Sequence, residues 1–143
     1  MRHLLVTGLI AALLLVPSAR LAAEEPPVAA TFAPGEAKTL EAMHDQAISL
    51  YTHGDYAGAR DLLEPVVETR TRVLGPEHPA TLAAMGLLAP ARRHLGDLEA
   101  ARDLEEKVLE AHTSALGSDD PATLGAMSNL ARTLWALGDL TGA

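Results

Sequence analysis

The side chains of this sequence that could do chemistry are mainly histidines and carboxylates. Six histidines invite a metal-site interpretation, but no pair has the H-E-x-x-H spacing that places two ligands on one helix face. Apart from His3, they lie in five separate segments, at His44, His53, His78, His94 and His112. Glu77 and His78 are adjacent, but the residues 42 positions later are Asp119 and Asp120. This recurrence favours a turn and helix-cap role, so we expect neither a metal nor a cofactor.

Nucleophilic and phosphate-binding motifs are also missing from the sequence. There is no cysteine, no G-x-S-x-G, no Walker-type loop and no G-x-G-x-x-G. Glu105, Glu106 and Glu110 accompany Lys107 in one segment, and we expect them on a solvated helix exterior. The sequence therefore predicts that this protein is not an enzyme.

Composition restricts the fold and the class of partner. Hydrophobic residues make up 48% of the 143 residues but aromatic residues only 3%, which argues against a β-sandwich or barrel. The apolar residues are mainly alanine and leucine, which favour helices, so we expect an all-α fold. The formal net charge of -8 disfavours nucleic acid or an anionic membrane as a partner.

The first 37 residues are typical of a targeting segment and a tether. Arg2 precedes the apolar run Leu4–Val16, and small residues follow it, as in a secretory signal peptide. Thirteen residues span only about 20 Å as a helix, so a membrane anchor is the weaker alternative. We expect cleavage after Ala23, no stable membrane insertion afterwards, and a periplasmic or extracellular protein. Residues 24–37 are rich in proline and predict a flexible tether.

A 42-residue internal repeat organises the rest of the chain. Aligning residues 54–95 with 96–137 gives 21 identities in 42 positions. Self-similarity at such a period is typical of stacked supersecondary units. We therefore divide residues 38–143 into repeats at 38–78, 79–120 and 121–143, the last incomplete.

Each unit has the pattern of a helical hairpin. In 121–137, the apolar residues recur at spacings of three and four, Asp120 can cap the helix, and Gly138 is expected to end it. Gly-Asp pairs recur at 54, 96 and 138, and Asp55 and Asp97 are expected to cap the second helix of each hairpin. The sequence predicts five helices in the order A-B-A-B-A, at about 38–53, 55–73, 79–95, 97–116 and 121–137.

This pattern resembles the tetratricopeptide repeat, in the 42-residue form found in kinesin light chains. The resemblance implies a right-handed solenoid of stacked hairpins. The small residue of the family's helix A corresponds to Ala47, Ala89 and Ala131. Two features depart from the family pattern: Arg92 occupies a large apolar position, and Pro65 and Pro90 lie inside helices. We expect these prolines to bend or weaken the first full repeat.

The resemblance also implies where a partner would bind. The family's A helices line a concave groove, and the corresponding residues here are His44, Asp45, Tyr51, Arg93, His94, Ser128, Asn129, Arg132 and Trp135. Asn129 matches the family's groove asparagine, whose amide can donate and accept at once. Trp135 has an alternative role in the core, and Arg93 and Arg132 have one as solvated surface charges.

Three functions follow as expectations. The favoured one is a scaffold that binds a peptide or protein partner. The alternatives are the regulatory N-terminal region of a larger exported enzyme, such as a caspase-like peptidase, and a self-associating solenoid. Because the sequence stops six residues into the third copy of the unit that begins at Gly54 and Gly96, we expect its end to fray and to associate through Leu130, Leu134 and Leu137.

Overall fold

The computed structural model describes residues 32–141, with side chains as far as residue 138. It contains five α-helices in this part of the chain: α1 (Glu36–Thr52), α2 (Tyr56–Leu74), α3 (Pro79–His94), α4 (Leu98–Leu116) and α5 (Pro121–Thr141). The predicted all-α order A-B-A-B-A is thereby confirmed. The predicted signal peptide and most of the predicted tether lie outside the described residues.

Consecutive helices pack side by side, because only three or four residues connect each pair. Helix α3 also contacts α1 and α5, so the three A helices form one layer and α2 and α4 pack against it. Alanine lets these helices approach closely, and Ala47, Ala59, Ala89 and Ala101 are completely buried. Phe32, inside the predicted tether, is also buried and packs against the first core cluster.

Glycines with positive φ end the first four helices or lie in the turns after them. Gly54 and Gly96 have φ of 83° and 85°, and Gly75 and Gly117 have 97° and 89°. This left-handed region is costly for residues with a Cβ atom, so glycine fits these turns. Helices α2 and α3 both continue without interruption across Pro65 and Pro90.

The two Gly-Asp turns differ in how they cap the following helix. The side chain of Asp55 accepts a hydrogen bond from the Gly58 amide at 2.8 Å, as expected for an N-cap. The expectation that Asp97 does the same was wrong, because its carboxylate accepts a hydrogen bond from Arg92 at 3.1 Å instead. Arg92 also reaches Glu64 on α2 at 2.7 Å. Arg92 stands where the family has a large apolar residue, and its guanidinium group forms ion pairs that connect α3 with α2 and with the turn before α4.

Gly138 does not end α5, and this corrects the sequence prediction. The helix continues through Gly138 and Asp139 to Thr141, and Gly138 is not among the glycines with positive φ. In the first two repeats the same Gly-Asp pair reverses the chain before a helix that packs back on its predecessor. Residues 138–141 therefore extend α5 instead of forming a turn. None of the described helices is long and apolar enough to cross a membrane.

The two conformations of the repeated glycine predict opposite effects of alanine. Gly96→Ala places a Cβ at φ 85° and should lower the free energy of unfolding by about 1–2 kcal/mol. Gly138→Ala should leave it unchanged or raise it by up to about 1 kcal/mol, because a helical residue gains propensity and its Cβ meets no atom within 4 Å. Urea unfolding followed by circular dichroism measures both. An equal loss at both positions would show that Gly138 forms a turn.

Candidate functional site

A buried ion pair connects three helices at the second repeat junction. Arg93 on α3 donates from Nη1 to Oε1 of Glu105 on α4 at 3.1 Å, and their side chains are only 13% and 4% exposed. The same Nη1 contacts the Asn129 carbonyl oxygen at 3.2 Å and Thr133 Oγ1 at 3.3 Å, both on α5. The expectation that Glu105 lies on a solvated exterior was wrong. Arg93, a predicted groove residue, is held inside the array.

Comparison with the first repeat explains why this pair is buried. The positions occupied by Arg93, Glu105, Asn129 and Thr133 correspond, 42 residues earlier, to Tyr51, Leu63, Leu87 and Ala91. Apart from the Tyr51 hydroxyl, the earlier set is apolar; Tyr51, Leu63 and Leu87 contribute to the first core cluster, and Leu63 and Ala91 are completely buried. All four positions are polar in the second repeat, and Arg93 contacts the Glu105 carboxylate, the Thr133 hydroxyl and the backbone carbonyl of Asn129.

The hydrogen-bonding capacity of the Glu105 carboxylate is only partly satisfied in this ion pair. Burial raises the pKa of Glu105, and the contributions of Thr133 and Arg93 oppose that shift without cancelling it. Oε2 of Glu105 is buried without a hydrogen-bond partner. A buried carboxylate with one unpaired oxygen is stabilised by its neighbours less than its removal from water costs.

A largely apolar cleft of about 590 Å³ lies between α3, α4 and α5. Leu82 and Val108 form part of its walls, and Asn129 and His112 contribute polar atoms. The cleft is open where the corresponding residues of the first repeat are larger. Its Ala83, Gly86 and His112 correspond to Glu41, His44 and Arg70.

The side chains at the first junction fill the corresponding space. Arg70 is buried and donates from Nη1 to the Ala80 carbonyl oxygen at 2.9 Å. His44, a predicted groove residue, is half-buried there; burial lowers its pKa, nearby Arg70 lowers it further, and Asp45 opposes the shift. Its Nδ1 atom is buried without a hydrogen-bond partner. His44 is therefore part of the junction rather than a freely exposed ligand.

Three rings from three helices form a second cluster at the surface. The ring of His94 stacks on Tyr56, with centroids 4.1 Å apart and an interplanar angle of 7°. Tyr51 meets both rings edge-on, at 5.2 Å from Tyr56 and 6.0 Å from His94. The structure thus brings the predicted residues Tyr51 and His94 together through Tyr56, which the sequence analysis did not single out.

The remaining predicted groove residues are distributed along α1 and α5. Asp45, Ser128 and Arg132 are exposed, and Asn129 is half-buried at the cleft. Trp135 is 73% exposed, so it does not contribute to the core of the described residues. Within those residues, no group of three or more histidine or acidic side chains is arranged to hold a metal ion.

A family model of the tetratricopeptide repeat matches residues 38–114 and 91–143. The chain belongs to the tetratricopeptide repeat family. It is also similar to two solved structures, one of them a point variant, of a Podosopora anserina protein described as a kinesin light chain with nearly identical TPR-like repeats. Each is 32% identical with a TM-score of 0.63, and the match covers 71% of this chain and 48% of the other.

The chain therefore spans about half the length of those solved structures. No curated protein shows significant similarity to it. Tetratricopeptide repeats are scaffolds of a non-catalytic type that generally mediate protein–protein interaction. The predicted solenoid fold and the resemblance to kinesin light chain repeats are confirmed by these matches.

The sequence could have indicated two of the site residues that were not predicted, Glu105 and Thr133, if the two full repeats had been compared position by position. Glu105 occupies the register of Leu63, so a charge there requires a partner from a neighbouring helix. Thr133 replaces Ala91 in the same register. The simultaneous change identifies these four positions as one buried cluster. The register of α4 agrees, because Glu105 lies four residues after Ala101 and three before Val108, which are both buried. Only the charge of its side chain favoured the outside. Tyr56 has no such signal, because its stacking on His94 depends on how α2 and α3 pack.

Substitutions in the buried cluster should show that it can be replaced as a set. Arg93→Ala or Glu105→Ala alone should lower the free energy of unfolding by about 3 kcal/mol, because each leaves a buried charge unpaired. The combination R93Y/E105L/N129L/T133A installs the residues of the first repeat. It should be at least as stable as the wild type, measured by urea unfolding at pH 7. If the loss in free energy of unfolding of the fourfold variant equals the sum of the losses of the four single variants, the two junctions are not interchangeable.

Proposed function

We propose that this tetratricopeptide repeat domain is a scaffold that binds an extended peptide or a protein segment across α3 and α5. The observation that supports it is the cleft between these helices, with Asn129 at its edge. Pockets of this size are typical ligand sites when apolar walls surround a few polar groups. The backbone-binding role that we propose for Asn129 draws support from its match to the family's groove asparagine, since a side-chain amide can pair with a peptide group.

The chemistry of the cleft indicates the kind of residue that enters it. Leu82, Val108 and Leu116 offer apolar contacts, while Glu77 is the one charged residue among its lining residues. An apolar side chain of the partner gains most by filling such a site, since removing apolar surface from water is favourable. The exposed Ser128 and Arg132 are four residues apart on α5, so they lie on one side of the helix and can contact the partner beside the cleft.

Filling the cleft from within should abolish binding without unfolding the domain. Gly86→Leu places a side chain in the cleft, where a Cβ meets no atom within 4 Å, and leucine also favours the helix. Asn129→Ala removes the amide. Peptides selected from a displayed random library on the wild-type chain should bind either variant at least tenfold more weakly by calorimetry.

The matched controls lie on the B helices. Ala57→Leu adds the same side chain at an exposed position of α2, and Lys107→Ala removes an exposed charge from α4. Both should leave peptide affinity unchanged. Equal losses in the controls and the cleft variants, with unchanged circular dichroism, would exclude the cleft as the binding site.

We further propose that the protein is exported. The support is the basic start, the 13-residue apolar run Leu4–Val16 and the small residues after it, all outside the described part of the chain. The protein recovered after expression with a functional secretion system should begin near Glu24 by intact mass. A chain that keeps residues 1–16 and sediments with membranes would contradict this proposal.

A further inference from the structure

The first junction holds an arginine side chain at the place where the second junction is open. Arg70 of α2 is buried and donates from Nη1 to the Ala80 carbonyl oxygen at the start of α3 at 2.9 Å. The residues 42 positions later are His112 and Ala122, and both line the cleft. One end of the cleft therefore corresponds to the position of a bound guanidinium group.

The opening results from smaller side chains inside the array. The cleft is lined by residues of α3, α4, α5 and the turn before α3, all of which the structure describes. Where the first junction has His44 and Arg70, the second has Gly86 and His112. The glycine leaves out a whole imidazole ring, and the histidine is shorter than the arginine. The cleft thus has room for a side chain that the first junction supplies from its own hairpin.

Polar atoms at this end of the cleft are available to such a side chain. Nδ1 of His112 is buried without a hydrogen-bond partner. A backbone carbonyl oxygen has two lone pairs, so the Ala122 oxygen can accept a hydrogen bond in addition to the helical one. The Ala80 oxygen accepts such a bond from Arg70. A guanidinium group in the cleft would find the same acceptor.

Carboxylates accompany these acceptors at the second junction. Glu77 is the one charged residue that lines the cleft. The Asp120 carboxylate accepts a hydrogen bond from the Ala122 amide at 2.8 Å, which fixes it beside the cleft. At the first junction the same capping position is an imidazole, because Nδ1 of His78 accepts from the Ala80 amide at 3.1 Å. The second junction therefore has more negative charge at this end and lacks the arginine.

The first junction also shows that a guanidinium group in this position needs nearby acids. Burial lowers the pKa of Arg70, and Glu41 and Asp45 oppose that shift. Their counterparts at the second junction are Ala83 and Leu87, which carry no charge. The two carboxylates beside the cleft can take over this role, since a buried cation is tolerated only when it is paired.

We propose that the cleft binds an arginine side chain of the partner, with the guanidinium group at the end formed by His112 and Ala122. This assignment rests on the proposed peptide binding by the cleft and specifies the residue that enters it. The methylene groups of arginine provide the apolar contact that Leu82 and Val108 favour, while the guanidinium group brings five donors in one plane. Lysine fits less well, because its ammonium group is a compact point charge on a flexible stem.

Titration with a blocked amino acid tests the site without any peptide partner. N-acetyl-arginine methylamide, added to the ¹⁵N-labelled chain, should give saturable shifts at the amides of His112, Ala122 and Gly125 at millimolar concentration. The citrulline analogue has nearly the same shape without the charge, and the norleucine analogue lacks the polar head. Both should bind about tenfold more weakly, because they lose charge-assisted hydrogen bonds. Absence of saturable shifts with the arginine compound would overturn the proposal.

His112→Arg should close the site by restoring the residue of the first junction. The shifts in the cleft should disappear, and circular dichroism should match the wild type. Ser114→Arg is the matched control, because it adds the same charge at an exposed position of α4 that does not line the cleft. It should leave the titration unchanged. Equal effects of the two variants would show that the arginine compound binds through overall charge alone and would overturn the proposal.

Glu77→Gln provides a second test that does not depend on the folding of His112→Arg. Glu77 lies in an exposed turn, so its substitution leaves the helices unaltered. The variant should bind the arginine compound about threefold more weakly and the norleucine compound as before. Equal binding of the arginine compound by this variant and the wild type would contradict the proposed site.

Peptides selected on the wild-type chain separate this proposal from the proposed function. They should contain arginine, and its replacement by citrulline should weaken binding about tenfold by calorimetry. Peptides without arginine that lose affinity in Gly86→Leu would support peptide binding by the cleft and overturn the arginine site. Saturable binding of the arginine compound with no selected peptide would support the arginine site and count against the scaffold function.

Discussion

Each helix of this array buries its apolar stripe only where a neighbouring helix packs on it. Helices α3 and α5 begin with closely related sequences, yet Leu82 in α3 is 7% exposed and Leu124 in α5 is 52% exposed. The residue and its helical register are the same, so the difference comes entirely from the neighbours. Nearest-neighbour burial is the constraint that makes the repeats stack and gives the two ends of an array different surfaces.

The same dependence allows one junction to differ chemically from the next. A junction is formed by residues from three helices, and they must be compatible as a group. The first junction is apolar around Tyr51 and filled by His44 and Arg70, whereas the second is polar around Arg93 and empty above Gly86. Both junctions are formed by helices in the same A-B-A order, and they differ in the side chains between those helices. A recognition surface can therefore arise at a single junction without altering the fold.

The sequence predicts the fold well because the relevant information is local or periodic. The helix bounds follow from the apolar spacing and from the Leu-Gly and Gly-Asp positions of the repeat, where Gly54, Gly75, Gly96 and Gly117 all have positive φ. The spacing of α4 puts Glu105 on the buried face, but its pairing with Arg93 could not be derived from one helix, since Arg93 is on another. The stacking of Tyr56 on His94 depends in the same way on the relative positions of two helices.

The behaviour of the repeated Gly-Asp pair shows that chain reversal in this protein is conditional. At 54 and 96 the pair forms a turn, and at 138 the same two residues are helical. Glycine permits both conformations, so the dipeptide by itself does not specify a turn. The same two residues can therefore serve as a hinge in one repeat and as ordinary helix in another.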